Sequence, residues 1–457
     1  MSSSSAIGHP FQSSIKTIDG RTVQFTLAPT RVSYANTLRR AIQTEVLTLG
    51  FRADMTETGS TTDVRVLKNT TPMSNEMLAD RVGLLPLVMP KGIVNEWDKE
   101  SHLFKLHVKN ETDTIRYVTA SDFQVLRFKP KAEGGDGIER EQIPNTMFFH
   151  PDPVTLETCL LAVLKPQVLG QAPEEVHIEA YASLGKGREH TRFNPTSQCS
   201  YSYTRDDSPE RIKELWIRWL VEQKKILNHN DLDKDLVRKT MLEREFGSLE
   251  IQRCYKVGPD GEANGFDFTI ETLGTISPYA IISRALRALI TLCDRYSSLD
   301  TGDLPETVEV RPADARMKGF DIWFDGEDHT LGNLLQTYID DNLMDSGECT
   351  FIGYKVPHPL RDEMVLRIGV NDVSEATARL IVAQAAKGCA NMFADWAVAF
   401  DTLSVGEVDY VEERSKKEVR PPWEAHAEAK YKQRKANPSS LLGSKDSSGS
   451  SSNAAPK

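Results

Sequence analysis

At 457 residues the chain is long enough for roughly two or three domains, and its 39% hydrophobic content suffices to fill their cores. A formal net charge of −11 argues against a protein that coats nucleic acid by bulk attraction, because that requires clustered Lys and Arg. The sequence offers no apolar run long enough to span a bilayer and no CxxC-type pair among its six cysteines, so neither a membrane span nor a zinc ribbon is expected.

The opening MSSSSAIGHPFQSS lacks the apolar stretch of a secretion signal and reads as a flexible arm over 1–14. Residues 15–27, IKTIDGRTVQFTL, alternate around Asp19-Gly20 and predict a hairpin. In TRVSYANTLRRAIQTEVLTLG the residues Tyr34, Leu38, Ala41, Ile42, Val46 and Leu49 keep helical spacing, which predicts one helix closed by Gly50. From 56 to 205 the pattern is of short strands, among them DVRVLKN, HLFKLHV, EVHIEAYAS and QCSYSYT, with KAEGGDGIEREQ as a polar loop. Residues 73–83 and 152–164 each predict a short helix. The tract 208–246 turns helical behind a Ser-Pro-Glu start signal. Strand alternation returns in GFDFTIETLG and leads into TISPYAIISRALRALITLCDRY, where Ile281, Ile282, Ala285, Leu286, Leu289 and Leu292 form a broad apolar face.

SSLDTGDLP, 297–305, is a polar joint and marks a domain boundary. Beyond it come the strands ETVEVRP and KGFDIWFDG and a helix over 330–343. A hairpin of CTFIGYKV and EMVLRIGV around PHPLRD follows, then the long Ala-rich helix SEATARLIVAQAAKGCANMFADWAVAF. The chain is charged from about 403 and Ser-rich from 437, a composition that cannot bury a core. Two parts of the chain echo each other: a strand (TVQFTL; FDIWF) runs into a helix with Asn near its start (YANTLRRAI; HTLGNLLQTYI), and later a strand (FDFTIETL; MVLRIGV) runs into a second long helix. Two related modules are expected, the first carrying a large insertion.

Four motifs bear on chemistry. In DGEDHTLGNLLQTYIDDN, Asp328-His329-Thr330 has the residue types of an acid-base site, yet neighbouring side chains at a helix start diverge. Asp325, Glu327 and Asp328 also lie where a helix dipole favours negative charge, with Asp328 or His329 near the N-cap. Capping is therefore the favoured reading over a hydrolase using His329. LGKGREHTR, 184–192, has glycines and cations but no Ser or Thr after the Lys, so it reads as a basic surface turn rather than a phosphate loop. In NTLRR, Arg39 and Arg40 stand about 100° apart on a helix, so at most one faces the core; the other is solvated or meets a partner's carboxylates. ERSKKEVR and KYKQRK in the tail carry only a small basic excess. A free-standing DNA-binding transcription factor, the other alternative, would need a basic face that the −11 charge disfavours.

At these residues the chain resembles the alpha-type assembly subunits of multisubunit DNA-directed RNA polymerases. ANTLRRAI, NEMLADRVGLLPL (75–87), GKGREHTRFNP and FDFTIETLGTISP resemble, in order, landmarks of the archaeal D-type polymerase component and the third-largest subunit of eukaryotic RNA polymerase II. EDHTLGNLL and FIGYKVPHPL resemble signatures of its small partner, the archaeal L-type component. Both in one polypeptide resemble the fused subunit of large nucleocytoplasmic DNA viruses. The resemblance implies an α+β fold: two alpha-like modules pairing within one chain with pseudo-two-fold symmetry, the first interrupted by a mainly β domain. On that basis the D-like module spans 15–50 plus 265–296 and the insertion 51–264, with its β-rich part at 56–205 and helical part at 208–246. The linker is 297–305, the L-like module 306–400 and the tail 401–457.

The implied role is a non-catalytic scaffold on which the two largest subunits assemble, with a small zinc-binding subunit as a further partner. The catalytic magnesium belongs to the large subunits. No cofactor or metal is expected on this chain, since the cysteine-rich loop of several D-type relatives has no counterpart here. Little or no direct nucleic-acid contact and no membrane are implied. Host cytoplasm and virion are the implied location, with the nucleus as the alternative. By motif carry-over the assembly interface comprises Asn36, Leu38, Arg39, Arg40, Arg81, Leu84 and Pro86. Asp328, His329, Thr330, Leu331, Asn333 and Leu334 serve pairing and the helix cap.

Overall fold

The computed structural model describes residues 10–12, 15–53, 63–89, 97–130, 138–227, 235–314, 317–372 and 374–404. Most of the expected arm and nearly all of the expected tail lie outside them. In chain order the elements are β1 (Lys16–Ile18), β2 (Thr22–Leu27), α1 (Val32–Thr44), β3 (Leu47–Gly50), β4 (Val64–Asn69), α2 (Asn75–Gly83), β5 (His102–Lys109), β6 (Arg116–Thr119), β7 (Phe123–Pro130), β8 (Ile138–Ile143), β9 (Leu160–Leu164) and β10 (Glu175–Ala180). They continue with β11 (Ser183–Lys186), β12 (Thr196–Tyr203), α3 (Pro209–Glu222), α4 (Leu236–Ser248), β13 (Phe266–Thr272), α5 (Pro278–Asp294), β14 (Val308–Pro312), β15 (Gly319–Asp325), α6 (His329–Asn342), β16 (Cys349–Lys355), β17 (Glu363–Val370) and α7 (Glu375–Leu403).

The chain is α+β and forms two compact units. Among the described residues, one gathers the stretch up to Gly50, Pro86–Trp97 and everything from Ser183 onward; the other gathers Phe51–Leu85 and Asp98–Ala182. The second unit is built on the antiparallel sheet β4-β10-β5-β7-β8, with the small β6-β9 ladder. Phe104 packs edge-on against Phe51 and Phe148 in its core.

The first unit carries two four-stranded antiparallel sheets, β1-β2-β13-β12 and β14-β15-β17-β16. The β1–β2 hairpin turns on Asp19 and Gly20, both with positive φ, the geometry that matches the twist of its strands. Phe25 of β2 stacks on Phe268 of β13 with ring centres 5.0 Å apart, and Leu38 and Ile42 of α1 join them in one core. Ile281, Leu286 and Leu289 of α5 enter the same core, as do Phe393, Trp396 and Phe400 from the far end of α7. A second core gathers Ile322, Phe324, Leu366 and Ile368 from the other sheet with Leu331, Leu335 and Ile339 of α6. The near end of α7 contributes Ile381, Val382 and Ala386 to that core, and Tyr296 and Leu299 just beyond α5 reach it too. At 29 residues α7 is about 44 Å long, enough to run through both cores.

Three expectations need correction. The first helix stops at Thr44 instead of Gly50, because Leu47–Gly50 pairs with Ser183–Lys186 as a two-stranded ladder. Residues 152–164 form a turn followed by β9, which pairs with β6, and no helix. The insertion is also smaller than 51–264: β12 lies against β13 in the first sheet, so residues from Ser183 onward belong to the first unit. Strand-like alternation is local and does not say which sheet a strand will join. Within the tract read as helical at 208–246, α3 and α4 bury Trp219, Leu220, Leu242 and Phe246 against each other. The joint 297–305 is tied down rather than free: Arg379 donates from Nε to Leu299 O and from Nη2 to Gly302 O, both at 2.7 Å.

Candidate functional site: the seam between α1 and α6

Helices α1 and α6 meet antiparallel, and their polar side chains pair toward both ends of the contact with buried Leu38 and Leu334 between. At the start of α1, Arg31 Nη2 lies 2.7 Å from Asp341 Oδ1, and the Tyr34 hydroxyl donates to Asp341 Oδ2 at 3.1 Å. At the same end, one turn back along α6, Thr337 Oγ1 donates to Ser33 Oγ at 2.9 Å. At the other end Arg40 donates from Nε to Thr330 Oγ1 at 2.7 Å and from Nη2 to Asp328 Oδ2 at 2.9 Å. Burial lifts the Tyr34 hydroxyl far above the usual tyrosine range, and the Asp341 carboxylate reinforces this. Burial likewise raises Asp341 above an ordinary aspartate, against the pull of Arg31 and Tyr34.

Asp328 is the N-cap of α6, its Oδ1 accepting the Thr330 N–H at 2.7 Å. Its burial alone would raise the carboxyl, but the Thr330 bonds together with Arg40 and Arg188 outweigh that and hold it below the usual range. Its neighbour Glu327 behaves in the opposite way. Only 3% exposed, it accepts from the Tyr296 hydroxyl at 2.8 Å and from Arg295 Nη1 at 3.2 Å. Burial raises it above an ordinary glutamate despite those partners.

The GKGREH turn completes this end of the seam. Arg188 Nη2 stands 3.3 Å from Asp328 Oδ2, and Lys186 Nζ stands 2.9 Å from Glu45 Oε2. The Arg188 N–H donates to Thr44 O at 3.1 Å, satisfying a carbonyl at the end of α1. A Cβ on Gly187 would strike the Gln43 carbonyl oxygen, and one on Gly185 would come within 2.5 Å of the Phe193 ring. Gly187 therefore lets the turn lie directly on α1, and Gly185 makes room for the Phe193 ring. What reads as a basic surface turn is a clasp whose cations are already paired within the chain.

Residues 24–293 match the RNA polymerase Rpb3/Rpb11 dimerisation domain, and residues 320–397 match that domain again. The chain belongs to the RNA polymerase Rpb3/Rpb11 dimerisation family. A conjugation stage-specific protein of Tetrahymena thermophila is 24% identical over 293 residues, 58% of this chain and 87% of that protein. DNA-directed RNA polymerase subunit Rpo3 of Aeropyrum pernix is 23% identical, over 61% of this chain and 92% of its own length. DNA-directed RNA polymerases I and III subunit RPAC1 of Saccharomyces cerevisiae is 24% identical, over 61% of this chain and 84% of its own.

In this member of the Rpb3/Rpb11 family the expected interface residues divide. Arg40 is turned inward onto α6, whereas Arg39 donates to Asn36 Oδ1 and Gln43 Oε1, both at 2.9 Å, and lines an open hollow with Tyr201 and Tyr203. Asn36 is half-buried. Leu38, expected at the assembly surface, is fully buried in the first core and can touch no partner. Leu84, at 61% exposure, and Pro86 are exposed, and Arg81 donates to Leu160 O at 2.7 Å. Leu331 enters the second core and Leu334 the first, so α6 serves both; Asn333 is half-buried beside them. His329 is exposed, with Nδ1 3.4 Å from the Tyr354 hydroxyl, and the adjacent Thr330 hydroxyl is held by Arg40. Among the described residues no group of His, Cys, Asp and Glu is arranged to hold a metal ion.

The sequence names Glu327 only as an acid near a helix start and misses its partners Tyr296 and Arg295, as it misses the Tyr34–Asp341 pair. Their signal was faint. Glu327 sits among Asp325 and Asp328 as one acid of three, and only burial separates it from Asp325, which is exposed.

Proposed function

We propose that this chain is a non-catalytic assembly subunit of a DNA-directed RNA polymerase, holding the two largest subunits while they assemble. The observation that carries the reading is that two stretches of one chain match the same polymerase dimerisation domain, and that their helices α1, α5, α6 and α7 pack on one another. Relatives named Rpo3 and RPAC1 point the same way.

On this reading the two stretches are modules of a D-like and an L-like kind, fused and paired in cis about a pseudo-two-fold axis. Matching strand order supports it: a hairpin (β1–β2; β14–β15), a central antiparallel pair (β2–β13; β15–β17) and a flanking strand (β12; β16) recur in each sheet. Asn36 and Arg39 with the exposed Leu84 and Pro86 supply partner contacts, while Asp328, Thr330 and Leu334 supply pairing. The large subunits provide the catalytic magnesium, a small zinc-binding subunit joins them, and this chain brings no cofactor and little nucleic-acid contact. The same reading places it with viral fused subunits, in host cytoplasm and virion.

The test is co-expression of the two largest polymerase subunits of the same organism with and without this chain. The large subunits should form a stable complex only when the chain is present. Full assembly in its absence would overturn the proposal.

A further inference from the structure

A hollow of about 560 Å³ lies beside α5, bordered by the Lys186–Glu45 pair at the end of the seam. Its lining mixes the apolar Leu47, Ala288 and Leu292 with the cations Lys186, Arg284, Arg287 and Arg295 and one carboxylate, Glu45. Three of these cations already have a carboxylate: Lys186 has Glu45, Arg287 has Asp401 at 3.0 Å, and Arg295 has Glu327. Arg284 has none among the described residues. It is half-buried, and its Nη1 meets Met89 Sδ at 3.1 Å, a weak acceptor for a guanidinium. Burial without a counter-charge lowers its affinity for its proton. A desolvated guanidinium with spare donors, facing an accessible hollow, is costly until a carboxylate arrives.

We infer that this hollow docks an acidic–apolar segment of one of the large polymerase subunits, a Glu or Asp side chain seating against Arg284 while an apolar neighbour covers Leu47, Ala288 and Leu292. The inference rests on the assembly reading above and names a contact for it. Charge complementarity selects the carboxylate, since Arg284 is the cation left over once the in-chain pairs are counted. The apolar part of the lining and the Glu45 carboxylate select a peptide over a phosphate backbone, because a nucleic acid would leave Leu47 and Leu292 facing sugars and water. Arg presents a planar fork suited to a bidentate carboxylate.

Full-length chain carrying Arg284→Met, Arg284→Glu or Thr291→Glu is co-expressed with the organism's two largest polymerase subunits. Melting temperature of the isolated chain checks folding; Thr291 is exposed at the rim, so its variant folds even if the Arg284 variants do not. The recovered complex should fall at least tenfold for Arg284→Glu and Thr291→Glu, and less for Arg284→Met. A photo-reactive side chain at position 291 should cross-link to a peptide of a large subunit that contains Asp or Glu beside apolar residues. Normal complex recovery with folded variants overturns the inference and leaves the assembly role standing; failure of the wild-type chain to assemble overturns both. A cross-link to RNA or DNA would assign the hollow to nucleic acid and overturn the inference alone.

Discussion

Asp328 and Glu327 are adjacent carboxyls with opposite linkage to pH. Asp328 is held below its ordinary value, so its charge stabilises the fold above an unfolded pKa of about 3.9, and that contribution is lost as pH falls through the folded value. Asp328→Asn keeps a capping side chain but removes the charge. The variant should be less stable than wild type at neutral pH, and the difference should close below about pH 4, read by urea unfolding at several pH values. Glu327 is raised, so its contribution is full below about 4.5 and is lost as pH rises through the folded value. Glu327→Gln should therefore gain on wild type as pH climbs from 4.5, by the same measurement. Gly388 poses a steric question at the same scale. A Cβ there would run into the Tyr338 ring, where α6 meets α7. Gly388→Ala should cost about 1–3 kcal/mol, the usual range for overpacking, despite the better helix propensity of alanine.

At the scale of elements, the seam makes α1 and α6 depend on each other. Both partners of the Arg40–Asp328 pair are about 30% exposed, so their coupling should be modest, near 0.5–1 kcal/mol in a double-mutant cycle of Arg40→Ala with Asp328→Ala. Leu334 carries more, since it is fully buried in the core opposite its own sheet. Leu334→Ala should cost about 2–5 kcal/mol and loosen amide protection in β13 as well as β17. The long helices α5 and α7 were legible because their apolar faces repeat over four turns or more, a length at which period 3.6 is unambiguous. Leu47–Gly50 and Leu160–Leu164 were misread for the converse reason. A stretch of four or five residues is too short to fix a period, and the ladder that decides it comes from β11 or β6, which local spacing cannot name. The site was half legible in the same sense: residue types at Asp328 and Arg40 marked a contact, while the choice between Arg39 and Arg40 needed the neighbouring helix in place.

For the whole molecule, the polar joint at 297–305 matters less for holding the halves together than its position suggests. Arg379 of α7 grips it, α5 and α7 bury residues in one common core, and Tyr296 and Leu299 beside the joint enter the other with the near end of α7. A protease site placed at the exposed turn 300–302 and cut after folding should leave two fragments that co-elute on gel filtration. Separation of the fragments would show that pairing depends on the covalent link and its high effective concentration.

The course of α7 also dictates a timetable. Phe393, Trp396 and Phe400 close the core that β2, α1, β13 and α5 begin, yet roughly a hundred residues separate the end of α5 from those aromatics. During synthesis the first core waits on the ribosome with Phe25 and Tyr279 lacking their Phe400 contact until the second half has emerged. That interval is when the chain is most exposed to aggregation and to chaperones, and a ribosome stalled before Phe393 would release a protein whose first half has no finished interior.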